Sequence, residues 1–124
     1  MDETRSTASR FAIAIGVFLL VEGIWGMFSP VVFGVLTTNM LHAAIHIVLG
    51  LVGIWTGTKG GASRFLMFLG VLLVAVGVLR FVPVAGDLLV SLLNVNVAVA
   101  WFNIVVGAVS LIMARSGTRS VTGS

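Results

Sequence analysis

The chain has 124 residues, 59% of them hydrophobic and only 9% charged, with a mean hydropathy of +1.20. A soluble domain is about 45–50% apolar and about 25% charged, so the charges here are too few to cover a water-facing globule, which excludes an ordinary cytosolic enzyme, a disordered chain and a nucleic-acid binder. With no Cys there is no disulfide, thiolate zinc site, iron–sulfur cluster or Cys nucleophile. What remains is one small integral membrane domain.

Residues 1–10 are polar and read as a cytoplasmic tail. An apolar run then extends from Phe11 to Phe28, interrupted only by Glu22. At about 1.5 Å per residue it spans about 27 Å, close to the roughly 30 Å of hydrocarbon. It is too long for a signal-peptide core and no A-x-A-like site follows, so it reads as an uncleaved span. Further runs cover Met40 to Gly57 and Phe65 to Val82. The last apolar stretch, Val84 to Ala114, is too long for one upright span. Gly86-Asp87 reads as a helix start, which predicts a short interfacial helix from Asp87 to Leu93 and a fourth span from Val95 to Ala114. The expected fold is an all-α four-transmembrane-helix bundle over residues 11–114, with a cytoplasmic tail at 115–124.

Charge placement gives an orientation. Arg5 and Arg10 precede span one, Lys59 and Arg64 flank the second loop, and Arg115 and Arg119 follow span four. Of the seven basic residues, only Arg80 falls on the other side. The positive-inside rule then puts both termini in the cytoplasm of a bacterial inner membrane. The pI near 11.3 becomes an orientation signal and a contact surface for anionic lipid.

The chain also reads as an internal repeat. RFAIAIGVFLLVEGI (10–24) aligns without a gap on RFLMFLGVLLVAVGV (64–78), pairing Gly16 with Gly70 and Gly23 with Gly77. Spans two and four align after a three-residue shift, His46-IVLGLVG on Asn103-IVVGAVS, with Asn39 on Asn96. Two repeated helical hairpins entering from the same side should be related by an axis along the membrane normal. Small residues share a stripe on three of the spans: Ala12, Gly16, Gly23 and Gly26 on the first, Gly50, Gly53 and Gly57 on the second, and Gly107, Ser110 and Ala114 on the fourth. Such faces let helix backbones approach in lipid, and are candidate surfaces for a homo-oligomer or a membrane-protein partner.

FGVLTTNMLHAAIHIVLGL (33–51) resembles a family of small bacterial four-span membrane proteins, common in actinobacteria and catalogued as a domain of unknown function. Its motif runs N-x-x-HN-x-x-H-x-x-x-G. Asn39, His42, His46 and Gly50 match it, with Ala43 in place of the second Asn. The family's second hairpin carries Trp-x-His; Trp101 matches, and Asn103 stands where His is usual. GVFLLVEGIWGMFSP resembles the family's first span, except for Glu22 at a usually apolar position. The resemblance covers most of residues 10–114 and implies a four-span membrane protein without supplying an activity.

The intramembrane polar cluster comprises Glu22, Asn39, His42, His46, Arg80, Asn96 and Asn103, and nearly every strongly polar residue of the spans is expected in the outer half of the bilayer. Glu22 and His46 each lie about 9 Å below the outer ends of their spans. An ionisable residue within a membrane is a functional hypothesis by default. The plain alternative is interhelical hydrogen bonding by neutral His and Asn. His42 and His46, four apart on one face, could bind a metal with Glu22 as a further ligand. One helix cannot set both His on opposite faces of a haem, so haem would need a ligand from another subunit. Glu22 lies about 60–80° from the centre of its glycine stripe. Burial favours a neutral Glu22 beside a neutral His46, and mutual attraction favours an ion pair. Arg80 is expected to snorkel outward, within reach of Asp87. Trp25 and Trp55 fit interfacial belts, and Trp101, being deeper, is expected to pack inside the bundle.

No Ser–His–Asp set, Walker loop or dinucleotide fingerprint occurs, so the chain reads as a non-enzyme with no cofactor favoured. The leading expectation is a structural or accessory membrane subunit. The alternative is a small transport or ligand- or metal-binding module using an outward-facing His/Glu/Asn cluster, and the third is a haem- or quinone-linked redox subunit.

Overall fold

A computed structural model describes residues 7–123, with side chains through Arg115. Residues 1–6, including Arg5, and the side chain of Arg119 lie outside the described part. The elements run α1 (Thr7–Phe28), β1 (Val31–Val32), β2 (Leu36–Thr37), α2 (Met40–Lys59), α3 (Ala62–Leu79), α4 (Ala85–Leu93) and α5 (Val97–Gly123). α1, α2, α3 and the Val97–Arg115 portion of α5 are each long and apolar enough to cross a membrane. The fold is thus an all-α membrane bundle, with α4 as a short extra helix. Helix α1 starts at Thr7, ahead of the apolar run, and α5 continues past Ala114 to Gly123.

Two features of the connections were not expected. The segment after α1 folds back as a tiny antiparallel ribbon pairing Val31 with Thr37 and Val32 with Leu36. Its turn carries positive φ at Phe33 (55°) and Gly34 (75°), closed by Val35 N–H donating to the Val32 carbonyl at 3.3 Å. Two successive positive φ values match the twist of a hairpin. The α3–α4 link holds Val84 at φ 71°, a region that β-branched residues rarely occupy. Gly86 follows it, pressed on the Arg80 carbonyl where a Cβ would collide. α4 begins at Ala85, so Asp87 sits in its first turn, where the helix dipole favours an anion. The α2–α3 turn is made by Gly60 (φ 126°) and Gly61 (φ 93°), conformations open to glycine at little cost.

α1 packs chiefly against α2, and α3 against α5. The glycines set the spacing. A Cβ on Gly16 would lie 2.7 Å from the Gly50 carbonyl oxygen, and one on Gly50 would lie 2.6 Å from that of Gly16. In the other hairpin a Cβ on Gly70 would lie 2.8 Å from the Gly107 oxygen, and one on Gly107 would lie 2.9 Å from that of Gly70. Gly23 meets Ala43 and Ile47 just as Gly77 meets Ala100 and Ile104. The glycine stripes therefore face one another inside each hairpin rather than outward toward a partner. Between the hairpins, Ala12, Ile15 and Leu19 of α1 join Phe65, Leu66, Leu69 and Leu73 of α3 in one core cluster.

Each connecting segment also caps the opposite hairpin. Asn39 Oδ1 accepts from His42 N–H (2.9 Å) to start α2, while Asn39 Nδ2 donates to the Leu92 carbonyl at the end of α4 (2.8 Å). Asn96 Oδ1 accepts from Val99 N–H (2.8 Å) to start α5, and its Nδ2 donates to the Val35 carbonyl in the ribbon (2.9 Å). Thr37 Oγ1 donates to the Asn94 carbonyl (2.6 Å), and Asn94 Nδ2 donates to the Thr38 carbonyl (2.8 Å).

Trp101 does not pack inside the bundle. It is 57% exposed and leans on Phe81, ring centroids 5.5 Å apart. It shares a helix face with the exposed Val97, Val105 and Ile112.

Gly16→Leu should weaken the α1–α2 seam by about 1–3 kcal/mol, the usual cost of overpacking, whereas Val17→Leu on the exposed face should change little. Reversible denaturation in mixed micelles measures both. Equal effects at the two positions would contradict the seam.

Candidate functional site

The polar side chains gather at the end of the bundle that carries the ribbon and α4. Glu22, His42, His46 and Asn103 are all buried, the last only 2% exposed. Helix α1 supplies Glu22, α2 both histidines and α5 Asn103. Although Glu22 is off-centre on its stripe, its long side chain reaches inward, and Oε1 lies 2.9 Å from His46 Nδ1. The histidines stand one turn apart, so their rings meet edge to face with centroids 4.4 Å apart.

His42 Nδ1 lies 3.0 Å from the Leu93 carbonyl oxygen. A carbonyl can only accept, so Nδ1 carries the hydrogen and the neutral ring keeps its lone pair on Nε2. The last turn of α4 thus receives two donors, His42 on Leu93 and Asn39 on Leu92, where helix carbonyls otherwise lack partners.

Between α2, α3, α4 and α5 lies a chamber of about 80 Å³, lined by His42, His46 and Asn103 together with Leu49, Leu73 and Leu93 among others. One water needs roughly 10–15 Å³, so the chamber has room for a few waters or one small guest. Pockets for drug-sized ligands run to roughly 300–1,000 Å³, so a haem has no room here. Asn103 Oδ1 is buried with no hydrogen-bond partner. A wider, open depression of about 550 Å³ lies nearby between Gly26, Pro30, Asn39, Ser91 and Asn94, with no titratable side chain on its wall.

The sequence-derived cluster is thus divided. Glu22, His42, His46 and Asn103 come together. Asn39 and Asn96 act as helix caps and cross-links. Arg80 is half-buried and turns inward, its Nε donating to the Val95 carbonyl at 2.7 Å, while Asp87 is exposed. Glu22 is not placed as a co-ligand with the two histidines, because it stands behind His46 on the Nδ1 side. Among the described residues no group of three or more His, Cys, Asp or Glu is arranged to hold a metal. Sequence reasoning missed Thr37, Asn94 and the Leu92 and Leu93 carbonyls. Thr37 and Asn94 fall on one another in the alignment that pairs Asn39 with Asn96, which is the signal that could have found them.

His46→Ala should cost about 3–5 kcal/mol, because it strands the Glu22 carboxyl in an apolar bundle. Glu22→Gln, which keeps an acceptor for Nδ1, should cost about 1 kcal/mol. The paired change Glu22→Leu with His46→Leu should be milder than His46→Ala alone. Thermal melts in detergent rank the three, and a harmless His46→Ala would refute the pairing.

The family profile described as Domain of unknown function (DUF4383) matches residues 30–116. No curated protein and no solved structure matches the chain. The profile covers the ribbon, α2, α3, α4 and the membrane-crossing part of α5, including both histidines and Asn103, so the chain belongs to the DUF4383 family.

Proposed function

We propose that this protein is a non-enzymatic binding module that holds one small polar guest in the chamber formed by His42, His46 and Asn103. The observation that carries this reading is Asn103 Oδ1, a buried acceptor with no partner. Leaving such a group unpaired costs about 1–3 kcal/mol, and a leucine there would carry no such penalty. Polar groups that break packing rules without a structural return concentrate at functional sites. The accessory-subunit reading drew on glycine-rich faces free for partners, and those glycines are occupied within the hairpins.

The two hairpins are inferred to be copies of one unit. Gly16 with Gly50 corresponds to Gly70 with Gly107, and the Asn39 and Asn96 cross-links are reciprocal. On that register Val76 of α3 stands where α1 has Glu22, and Asn103 where α2 has His46. Asn103 is then the counterpart of His46, with apolar Val76 in the place of its carboxyl partner. Both termini are assigned to the cytoplasmic side of the plasma membrane, since Arg10, Lys59, Arg64 and Arg115 share one end of the bundle.

Asn103→Leu should raise the stability of the guest-free protein by about 1–3 kcal/mol, read as a higher melting temperature in detergent. Wild type should show a saturable rise in melting temperature with some small guest among ammonium, short amines and transition-metal ions, and Asn103→Leu should not. A destabilised Asn103→Leu, together with no guest response in wild type, would overturn the chamber.

Because the chain has no Cys, single-cysteine labelling tests the orientation. Ser91→Cys should react with an impermeant thiol reagent on intact cells, and Lys59→Cys should react only after lysis. The reverse pattern would invert the topology.

A further inference from the structure

We propose, resting on the chamber reading above, that the guest is the hydroxyl head of a long-chain membrane alcohol, which enters between α2 and α3 and leaves its hydrocarbon tail in the groove beside Ile45 and Leu49. Three observations carry it. First, the chamber has a neighbour. A cavity of about 280 Å³, lined by Ala44, Ile45, Val48 and Leu49, lies on the exposed face of α2, and Ile45 and Leu49 line both cavities. Second, the seam beside these two residues is the loose one. α1 packs chiefly on α2 and α3 on α5, which leaves α2 and α3 in slight contact. Ile45 is 37% exposed, and Leu72 and Val76, on the α3 side of the chamber, are half-buried. Third, polarity is graded along α2. His42 and His46 line the chamber toward the ribbon end, whereas the groove is aliphatic throughout. A polar pocket that runs into a lipid-facing aliphatic groove has the pattern of an amphiphile, with the head toward the ribbon and the tail toward the middle of the bundle.

Hydrogen bonding and charge select the head. His42 Nδ1 holds the Leu93 carbonyl at 3.0 Å, so its Nε2 is an acceptor, and Asn103 Oδ1 is an acceptor without a partner. Both residues line the chamber, so a head that fits must donate. A carboxylate only accepts, and an anionic phosphate would meet no Lys or Arg on the chamber wall. An ammonium head donates but brings a charge, and the Glu22 carboxyl is already engaged by His46 at 2.9 Å. Unneutralised charge inside an apolar bundle is expensive. A hydroxyl is a small neutral donor, and the chamber's volume of about 80 Å³ suits a hydroxymethyl group. For the tail, exchanging lipid for an aliphatic groove is neutral, so the hydroxyl decides occupancy.

The test uses the full chain in lipid nanodiscs with hexadecanol carrying a diazirine midway along its tail, and maps the photoproducts by mass spectrometry. Labelling should saturate and fall on residues 44–49. Unlabelled hexadecanol should displace the probe, whereas hexadecane and palmitate should not. Asn103→Leu, expected to fold at least as well as wild type, should raise the half-saturating mole fraction about 2–10-fold, the worth of one net hydrogen bond. Ala44→Trp, on the exposed face of α2, should suppress the labelling by filling the groove. Labelling that does not saturate, that hexadecane displaces equally well, or that Asn103→Leu leaves unchanged would overturn the assignment. If the alcohol fails in any of these ways while ammonium or a short amine still gives a saturable stabilisation that Asn103→Leu removes, the alcohol falls and the chamber stands. If every guest fails, both fall.

Discussion

A helix surrounded by hydrocarbon gains nothing by moving a leucine from lipid to a neighbouring helix, because both environments are equally apolar. What holds two such helices together is how closely their backbones can approach, and in this bundle that distance is set by glycine facing glycine. Gly16 against Gly50, and Gly70 against Gly107, leave no room for even one methyl group. From those two seams follow the hairpins, and from the hairpins the positions of the side chains one or two turns further along. Glu22 and His46 meet because Gly16, Gly23 and Gly50 keep α1 and α2 close on either side of them.

The polar layer has a different origin. Two helices start beneath the ribbon and α4, and their first N–H groups lack acceptors within the helix. Asn39 and Asn96 satisfy their own helix with the oxygen and the other hairpin with the amide. The hairpins are thereby tied by directional bonds at one end and by the α1–α3 apolar cluster further along. His42 and His46 hang just below this layer, close enough to α4 for one ring to use a helix-end carbonyl.

Much of this was legible from residue order because membrane folds are constrained by length, charge and small-residue spacing. The four spans, the short helix before the last one and the glycine stripes all follow from those rules, and the glycines marked by their spacing are the positions of closest approach. The ribbon at Val31–Thr37 was not legible, since two-residue strands have no period to detect. Glu22 was ambiguous because a helical wheel places Cα atoms, and a glutamate's flexible chain can cross the boundary between faces. Trp101 was misplaced for a different reason: depth along the span was allowed to decide what the wheel decides, and Val97, Val105 and Ile112 marked its face. The orphan state of the Asn103 oxygen depends on which atoms surround it in the bundle, which no local pattern carries.

The hydrogen shared by His42 Nδ1 and the Leu93 oxygen links two parts of the protein that experience different surroundings. α4 is a nine-residue helix with Leu88, Val90 and Leu92 exposed, while His42 lines the chamber. Undocking α4 would free the ring to turn, and a guest that holds the ring would hold α4 down. By reciprocity the two effects must be equal in free energy, so whatever loosens α4 loosens the ring, and whatever fixes the ring steadies α4.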